Sequence, residues 1–292
     1  LGAPVPRFAH LPVVAEPGSK NKLSKRKLSQ YLKQKDFAEL MERGLKVCRN
    51  LGIKPEPDLF NPVVVGFYEL VGFLPEAILN YIALLGWSLD DRTEQLTREE
   101  LIQHFSLERV NRAPASFDAD KLMSFQMRWM LAMPVSERAR LCLQYLVRAG
   151  LVRDTVEALK TVAQIVAAAG DRIKVAGDIL DYADFFLPDD QLARDQAASR
   201  RELGRPAARE LVRRFRNRLA TVEPFDAPTI ERLMQDFISG EGIKLGQVIH
   251  ALRVAVTGRT VGFGMFDTLA ILGRERCLRR IDQALEKEYD DE

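Results

Sequence analysis

The 292 residues predict a mainly α-helical protein. Three observations carry that expectation. Apolar residues recur at three- and four-residue spacing from Lys27 onward, helix start and stop signals punctuate the pattern, and only the first fourteen residues read as extended. The run Pro4-Val5-Pro6-Arg7-Phe8-Ala9-His10-Leu11-Pro12-Val13-Val14 sets three prolines among β-branched residues. It predicts a short strand or extended segment ahead of the polar loop Glu16-Pro17-Gly18-Ser19-Lys20-Asn21-Lys22. Pro75 then opens a helix whose expected apolar face is Ala77, Ile78, Tyr81, Ile82 and Leu85, closed by Gly86. Thr97 and Glu100 make a capping box ahead of Leu101 and Ile102. Asp118 is placed to cap the helix of Leu122, Phe125, Gln126 and Trp129. Met133-Pro134 breaks that helix, Ser136-Glu137 starts the next, and a domain boundary is expected between them. Gly150 and Gly170 read as helix stops. Asp226-Ala227-Pro228 starts a helix with Leu233, Met234 and Phe237 on its face. Leu245, Val248, Ile249, Leu252 and Val256 share one side of another, which Gly258 ends. A last helix runs from about Gly273 into an acidic tail. No repeat of fixed period occurs, and the joints are short, so a superhelical or cage-like packing is expected.

Composition narrows the function classes. Hydrophobic residues make up 47% of the chain, enough for real cores, and 43 Lys and Arg nearly balance 41 Asp and Glu. That balance is locally uneven. Six bases (Arg7, Lys20, Lys22, Lys25, Arg26 and Lys27) face Glu16 alone near the N-terminus. Eight arginines between Arg200 and Arg218 face two glutamates, and the stretch from Glu286 to Glu292 is acidic. Two basic regions far apart in sequence suit a long polyanion touched at two places, and suit solvated helix faces equally. The thiols of Cys48, Cys142 and Cys277 are scattered. They argue against a disulfide framework or thiolate metal site, read as buried small hydrophobes, and point to a reducing, cytoplasmic setting. No apolar run approaches the ~20 residues of a membrane span. The start at Leu1 rather than Met is expected of a piece of something longer.

The densest chemical signal is Lys22-Leu23-Ser24-Lys25-Arg26. Lysines three apart on a polar loop can meet phosphates and stabilise charge that develops on them, although a bare basic pentamer also fits a surface patch. His10, His104 and His250 are too far apart in sequence to imply a metal site, and His250 is expected in the core. No nucleophile elbow, Walker loop or paired-cysteine motif occurs. The residues taken alone complete no active site.

In order along the chain, Phe8-Ala9-His10-Leu11-Pro12, then Lys22-Leu23-Ser24-Lys25-Arg26, then Gly72-Phe73-Leu74-Pro75-Glu76-Ala77 through Leu85-Gly86-Trp87-Ser88, then Phe105 to Ala115, then Gly242-Ile243-Lys244-Leu245-Gly246-Gln247 and Leu252-Arg253-Val254-Ala255-Val256-Thr257-Gly258 resemble bacterial-type glutamyl-tRNA synthetases of class I. The resemblance implies activation of glutamate by ATP to glutamyl-adenylate and transfer to the 3′ end of tRNA-Glu. It implies that Lys22 and Lys25 act on ATP phosphates within an ATP-binding loop of Lys22, Leu23, Ser24, Lys25 and Arg26. It also implies that Arg253, and more distantly Arg172, read anticodon bases, and that the loop of Gly262, Phe263 and Met265 packs around them. The usual Thr-Pro of that loop is replaced by Gly262-Phe263, leaving Phe263 as a candidate stacking surface. The arginines of 200–218 are expected to meet phosphates or to be plain surface.

The His-x-Gly-His signature of class I is absent from this sequence. The resemblance is therefore to the C-terminal part of the enzyme, and Mg2+ would be bound with ATP mainly by the catalytic portion. The implied organisation is the end of the catalytic region over 1–30 and a stem-contact helical domain over 31–134, with an insertion at about 27–71. Two helical anticodon-binding subdomains follow, over 135–185 and 186–292, in a monomer without membrane contact. Two alternatives stay open: an autonomous helical tRNA-binding module, and part of a non-discriminating enzyme that also charges tRNA-Gln.

Overall fold

The computed structural model describes residues 8–56 and 60–287. Leu1, the 4–7 portion of the extended run and the 288–292 portion of the acidic tail lie outside the described residues. The described chain is mainly helical, as the sequence predicts, and forms two compact units. The first comprises Leu1–Ala149 with Asp171–Leu180, the second Gly150–Gly170 with Asp181–Glu292.

In the first unit the extended run ends in β1 (Val14–Ala15), which pairs in parallel with β2 (Ala115–Ser116). The second strand escaped the sequence reading because two residues between Pro114 and Phe117 carry no alternation to detect. The helices are α1 (Leu28–Tyr31), α2 (Lys35–Asn50), α3 (Val65–Val71), α4 (Pro75–Leu84), α5 (Arg98–His104), α6 (Ala119–Ala132) and α7 (Val135–Arg148). The local signals act as read. Pro75 stands in the first turn of α4. Thr97 and Glu100 complete the capping box of α5, and the Asp118 side chain accepts the Lys121 N–H at the start of α6.

Packing departs from the expected faces in two places. Helix α4 buries Ala77, Asn80 and Tyr81, while Ile82 is 51% and Leu79 43% exposed. The side of α4 turned to α6 is covered; the Ile82 side borders an open cleft. Pro134 does break the helix, yet the compact units divide after Ala149. Helix α7 buries Cys142, Leu143, Tyr145 and Leu146 in the first unit, where the Tyr145 hydroxyl reaches the carbonyls of Glu69 and Leu70.

The expected insertion is structural. Helix α2 buries Phe37, Leu40, Val47 and Cys48 against α3 and α6. Arg43 Nη1 donates to both carboxylate oxygens of buried Asp178, at 2.6 and 2.5 Å. Asp178 also accepts the Lys174 and Val175 N–H groups, and Gln126 spans the Leu74 N–H and the Lys174 carbonyl. Burial pushes the Asp178 carboxyl above its usual range against the pull of Arg43.

The second unit holds α8 (Val156–Ala169), α9 (Gln196–Leu203), α10 (Pro206–Leu219), α11 (Ala227–Glu241), α12 (Gly246–Thr257), α13 (Met265–Leu272) and α14 (Arg274–Glu286). Helix α12 is its axis, burying Val248, Ala251, Leu252 and the whole run Val254–Thr257 among α9, α10, α13 and α14. Gly258 ends it at φ +74°, where a Cβ would lie 2.2 Å from the Ala193 carbonyl oxygen, so only glycine fits. Arg280 of α14 is fully buried. Its guanidinium donates to Asp189, the Val256 carbonyl and the Asp184 carbonyl at 2.7, 3.0 and 2.7 Å. Among the described residues no helix is long and apolar enough to cross a membrane.

Gly44 tests the packing of α2. A Cβ there would meet the Phe67 ring at 2.5 Å and the Phe60 ring at 2.9 Å. Gly44→Ala should therefore destabilise the chain by about 1–3 kcal/mol despite alanine's better helix propensity. A shift of the denaturant midpoint without change in the m-value would register it.

Candidate nucleotide and nucleic-acid sites

The pentamer is held on a rigid hairpin rather than a loose loop. Lys22 bridges to Ala15 in antiparallel fashion, the Leu23 N–H donates to the Val14 carbonyl at 2.9 Å, and Lys25–Lys27 close a 3-10 turn. Behind the turn sits Glu16, only 7% exposed. Its carboxylate accepts from Asn21 Nδ2 at 2.9 Å, Lys27 Nζ at 3.0 and 3.2 Å, and the Tyr31 hydroxyl at 3.0 Å. Tyr31 in turn accepts the Ser24 N–H at 3.1 Å. These hydrogen bonds, Asn21 and Lys27 first, outweigh burial and hold the Glu16 carboxyl down at about 2. Burial, followed by the Glu16 charge, pushes the Tyr31 phenol up.

Lys22, Lys25 and Arg26 are exposed, and among the described residues no carboxylate pairs with them. The arrangement spends Lys27 internally and leaves three adjacent cations facing solvent, which suits a polyphosphate. Beside it lies an apolar cleft of about 370 Å³ lined by Val13, Val14, Leu23, Val65 and Ile82, with Lys22 at its edge. A larger cleft of about 630 Å³ takes in Leu11, Leu79, Ile102 and Phe105, all of them exposed. Among the described residues no group of three or more His, Cys, Asp and Glu could hold a metal ion.

In the second unit, Arg253 projects half-buried from α12, and its Nη1 donates to the Phe263 carbonyl at 3.0 Å. Gly262 lies against that guanidinium, 3.0 Å from where its Cβ would stand. The expected stacking role of Phe263 needs correction. Its ring is 2% exposed and sandwiched between Phe185 and Tyr182, with both centroids at 5.5 Å, so it has no open face for a base. Met265 is likewise buried, at the first turn of α13. The exposed apolar side chain of this loop is Val261, 73% exposed. Gly258 and Gly264 set the ends of the loop, and Arg259 pairs with buried Asp184. Arg172 ends a short 3-10 turn, exposed, in the chain stretch assigned to the first unit.

The arginine-rich helix α10 is mostly spent on its own fold. Arg213 pairs with Glu210, Arg214 with Glu241 and Arg216 with Asp282. Arg209 caps the carbonyls of Leu285 and Lys287, and Arg218 lies 5.2 Å over the Phe237 ring. His250 is exposed rather than core, as are His10 and His104. Its position falls on the outer side of α12, opposite Leu252 and Val256. The three thiols are buried, with those of Cys142 and Cys277 pushed up to about 12 by burial. Sequence reasoning placed Glu16 in the polar loop but gave neither it nor Tyr31 a part in holding the pentamer. The available signal was one acid among six bases.

Residues 137–285 match the family described as an anticodon binding domain. Residues 58–124 match the catalytic domain of class I tRNA synthetases for E and Q. The glutamate–tRNA ligase of Herpetosiphon aurantiacus is 39% identical over 220 residues, covering 74% of this chain and 44% of that protein. The glutamate–tRNA ligase of Moorella thermoacetica is 32% identical over 286 residues, covering 97% and 51%. The crystal structure of a glutamate tRNA ligase from Elizabethkingia meningosepticum in complex with its amino acid superposes with a TM-score of 0.75 at 25% identity, covering 97% and 52%. The chain thus spans about half the length of the curated relatives it matches.

The carboxyl carbon of Glu16 reports the bracket directly. Its folded pKa is depressed, so the stabilisation it contributes is present above the ordinary carboxylate pKa and lost as pH falls through about 2. An NMR titration should find the Glu16 carboxyl still ionised at pH 4, where an unperturbed glutamate, with pKa about 4.3, is largely protonated.

Proposed function

The chain belongs to the anticodon binding domain family, and we propose that it is the tRNA-binding part of a glutamate–tRNA ligase. In this reading the whole enzyme joins glutamate to ATP as glutamyl-adenylate, releases pyrophosphate, and transfers the glutamyl group to the 3′ end of tRNA-Glu. The observation that carries it is alignment to glutamate–tRNA ligases along 97% of the chain, with the basic loop and the Arg253 loop both inside the aligned length.

Each unit then has its own task. In the first, Lys22 and Lys25 lie against the ATP phosphates and offset the charge that passes to the leaving pyrophosphate, an electrostatic role that moves no proton. Leu23 and Ser24 shape the turn, and Arg26 steadies the loop or its nucleotide. The apolar cleft at Lys22 is suited to the flat face of a base whose phosphates meet the lysines. Mg2+ would accompany ATP through residues of the portion bearing His-x-Gly-His. Helices within 31–134 meet the tRNA stem.

In the second unit, Arg253 reads an anticodon base. Its bond to the Phe263 carbonyl holds loop and guanidinium in fixed relation before RNA arrives. Phe263 and Met265 support that loop from the core, Gly262 permits close approach, and Val261 supplies the exposed apolar contact. Arg172 is a second, weaker candidate for base reading.

Arg253→Ala should weaken binding of tRNA-Glu by about 10–100-fold and binding of an anticodon-swapped tRNA far less, the range of one lost arginine–base contact of ~1–3 kcal/mol. Filter binding with both RNAs checks it, and equal losses would reject base reading. Including tRNA-Gln in the comparison separates discriminating from non-discriminating recognition. The isolated chain should catalyse no ATP–pyrophosphate exchange with glutamate and tRNA present; exchange above background would reject the division of labour described here.

A further inference from the structure

We propose that Glu16 is a positioning residue for the polyphosphate loop, with its carboxylate fixing Lys22, Lys25 and Arg26 as a preformed set. The proposal rests on reading that loop as phosphate-binding.

Four cations, Lys20, Lys22, Lys25 and Arg26, lie within seven residues and repel one another. A loop carrying them must be held against that repulsion without neutralising them. Glu16 meets both demands. It binds the residue just before Lys22, through Asn21, and the residue just after Arg26, through Lys27. Through the Tyr31 hydroxyl it also reaches the Ser24 N–H at the centre of the turn. The start, middle and end of the pentamer therefore converge on one carboxylate. Glu16 is itself immobilised. Its N–H donates to the Asn21 carbonyl at 2.8 Å, its carbonyl accepts from Ser116 Oγ at 2.9 Å, and it directly follows β1. Tyr31 is anchored by its tilted contact with Phe37 at 5.4 Å.

The sign of the electrostatics separates positioning from bystander behaviour. A carboxylate near a phosphate site opposes anion binding, so Glu16→Gln in a loop indifferent to the bracket should tighten binding. If the bracket preorganises the lysines, the same change should weaken it, because the loop must then be ordered at the expense of binding.

The test uses the chain as it stands, with inorganic pyrophosphate as probe. Calorimetry gives the affinity, and NMR hydrogen exchange gives protection of the Ser24 and Leu23 amides. For Glu16→Gln we expect affinity reduced about tenfold and Ser24 protection lost, consistent with the removal of a charged hydrogen-bond hub. Tyr31→Phe keeps the ring and the Glu16 charge while cutting the Ser24 tether. It guards against misfolding of the first variant and should lose Ser24 protection with an affinity loss of about three- to fivefold. Glu16→Asp should recover part of the affinity. Unchanged or tighter binding by Glu16→Gln, with Lys25→Ala still weakening it, would overturn the positioning role alone. Failure of the parent chain to bind pyrophosphate, or indifference to Lys25→Ala, would overturn the phosphate reading and the proposal with it.

Discussion

The second unit depends on a guanidinium that has no water to fall back on. Arg280 is fully buried in α14, and every contact it makes ties a different element: the turn at Asp189, the C-terminal carbonyl of Val256 in α12, and the backbone at Asp184. A buried arginine without partners would be prohibitive, so these elements must come to it. Arg276 and Arg279 converge on the same Asp189, whose burial alone would raise its carboxyl but whose three arginines leave it below the usual range. With the end of α12 fixed in this way, Gly258 turns the chain and Phe263 drops between Phe185 and Tyr182. The loop that carries Gly262 is thus set from below, and Arg253 meets its carbonyl without searching for it.

The first unit solves the opposite problem. There Lys22, Lys25 and Arg26 stay exposed, and the fold sets one carboxylate behind them instead of one beside each. The contrast with α10 shows why counting charges misleads. Of the eight arginines in 200–218, Arg213, Arg214 and Arg216 pair with Glu210, Glu241 and Asp282 from within the same unit. The N-terminal cluster keeps Lys22, Lys25 and Arg26 in solvent while its single acid is taken by Lys27. Partnership rather than number decides which basic region can attract a phosphate backbone.

How much of this the sequence disclosed follows from the range of each interaction. Caps act over three or four residues, so Thr97, Asp118 and Asp226 could be read directly, and all three accept the N–H expected of them. The pentamer was legible because its residues are contiguous. What escaped detection joins distant residues. Nothing local says that Ala115 will lie beside Val14, that Arg43 will find Asp178, or that Phe263 will enter a ring stack with Phe185. An aromatic residue in a loop flanked by glycines looks exposed until the partner that buries it is known. The exposed His250 is the converse case, a polar residue whose apolar neighbours concealed which side of α12 it occupied.

The same distinction explains why α2 is no loose insertion. A neutral excursion would need only a closed loop and a polar face. Helix α2 instead gives up side-chain volume at Gly44 to admit the Phe67 ring, and it sends Arg43 into a buried pair with Asp178. Asp178 orders the backbone of Lys174 and Val175, and that stretch begins at Arg172's neighbour Asp171. A residue 135 positions away in sequence therefore helps set the segment that carries Arg172. Helix α2 is part of the scaffold of the first unit, and removing it would uncover the Phe67 ring and leave buried Asp178 without Arg43.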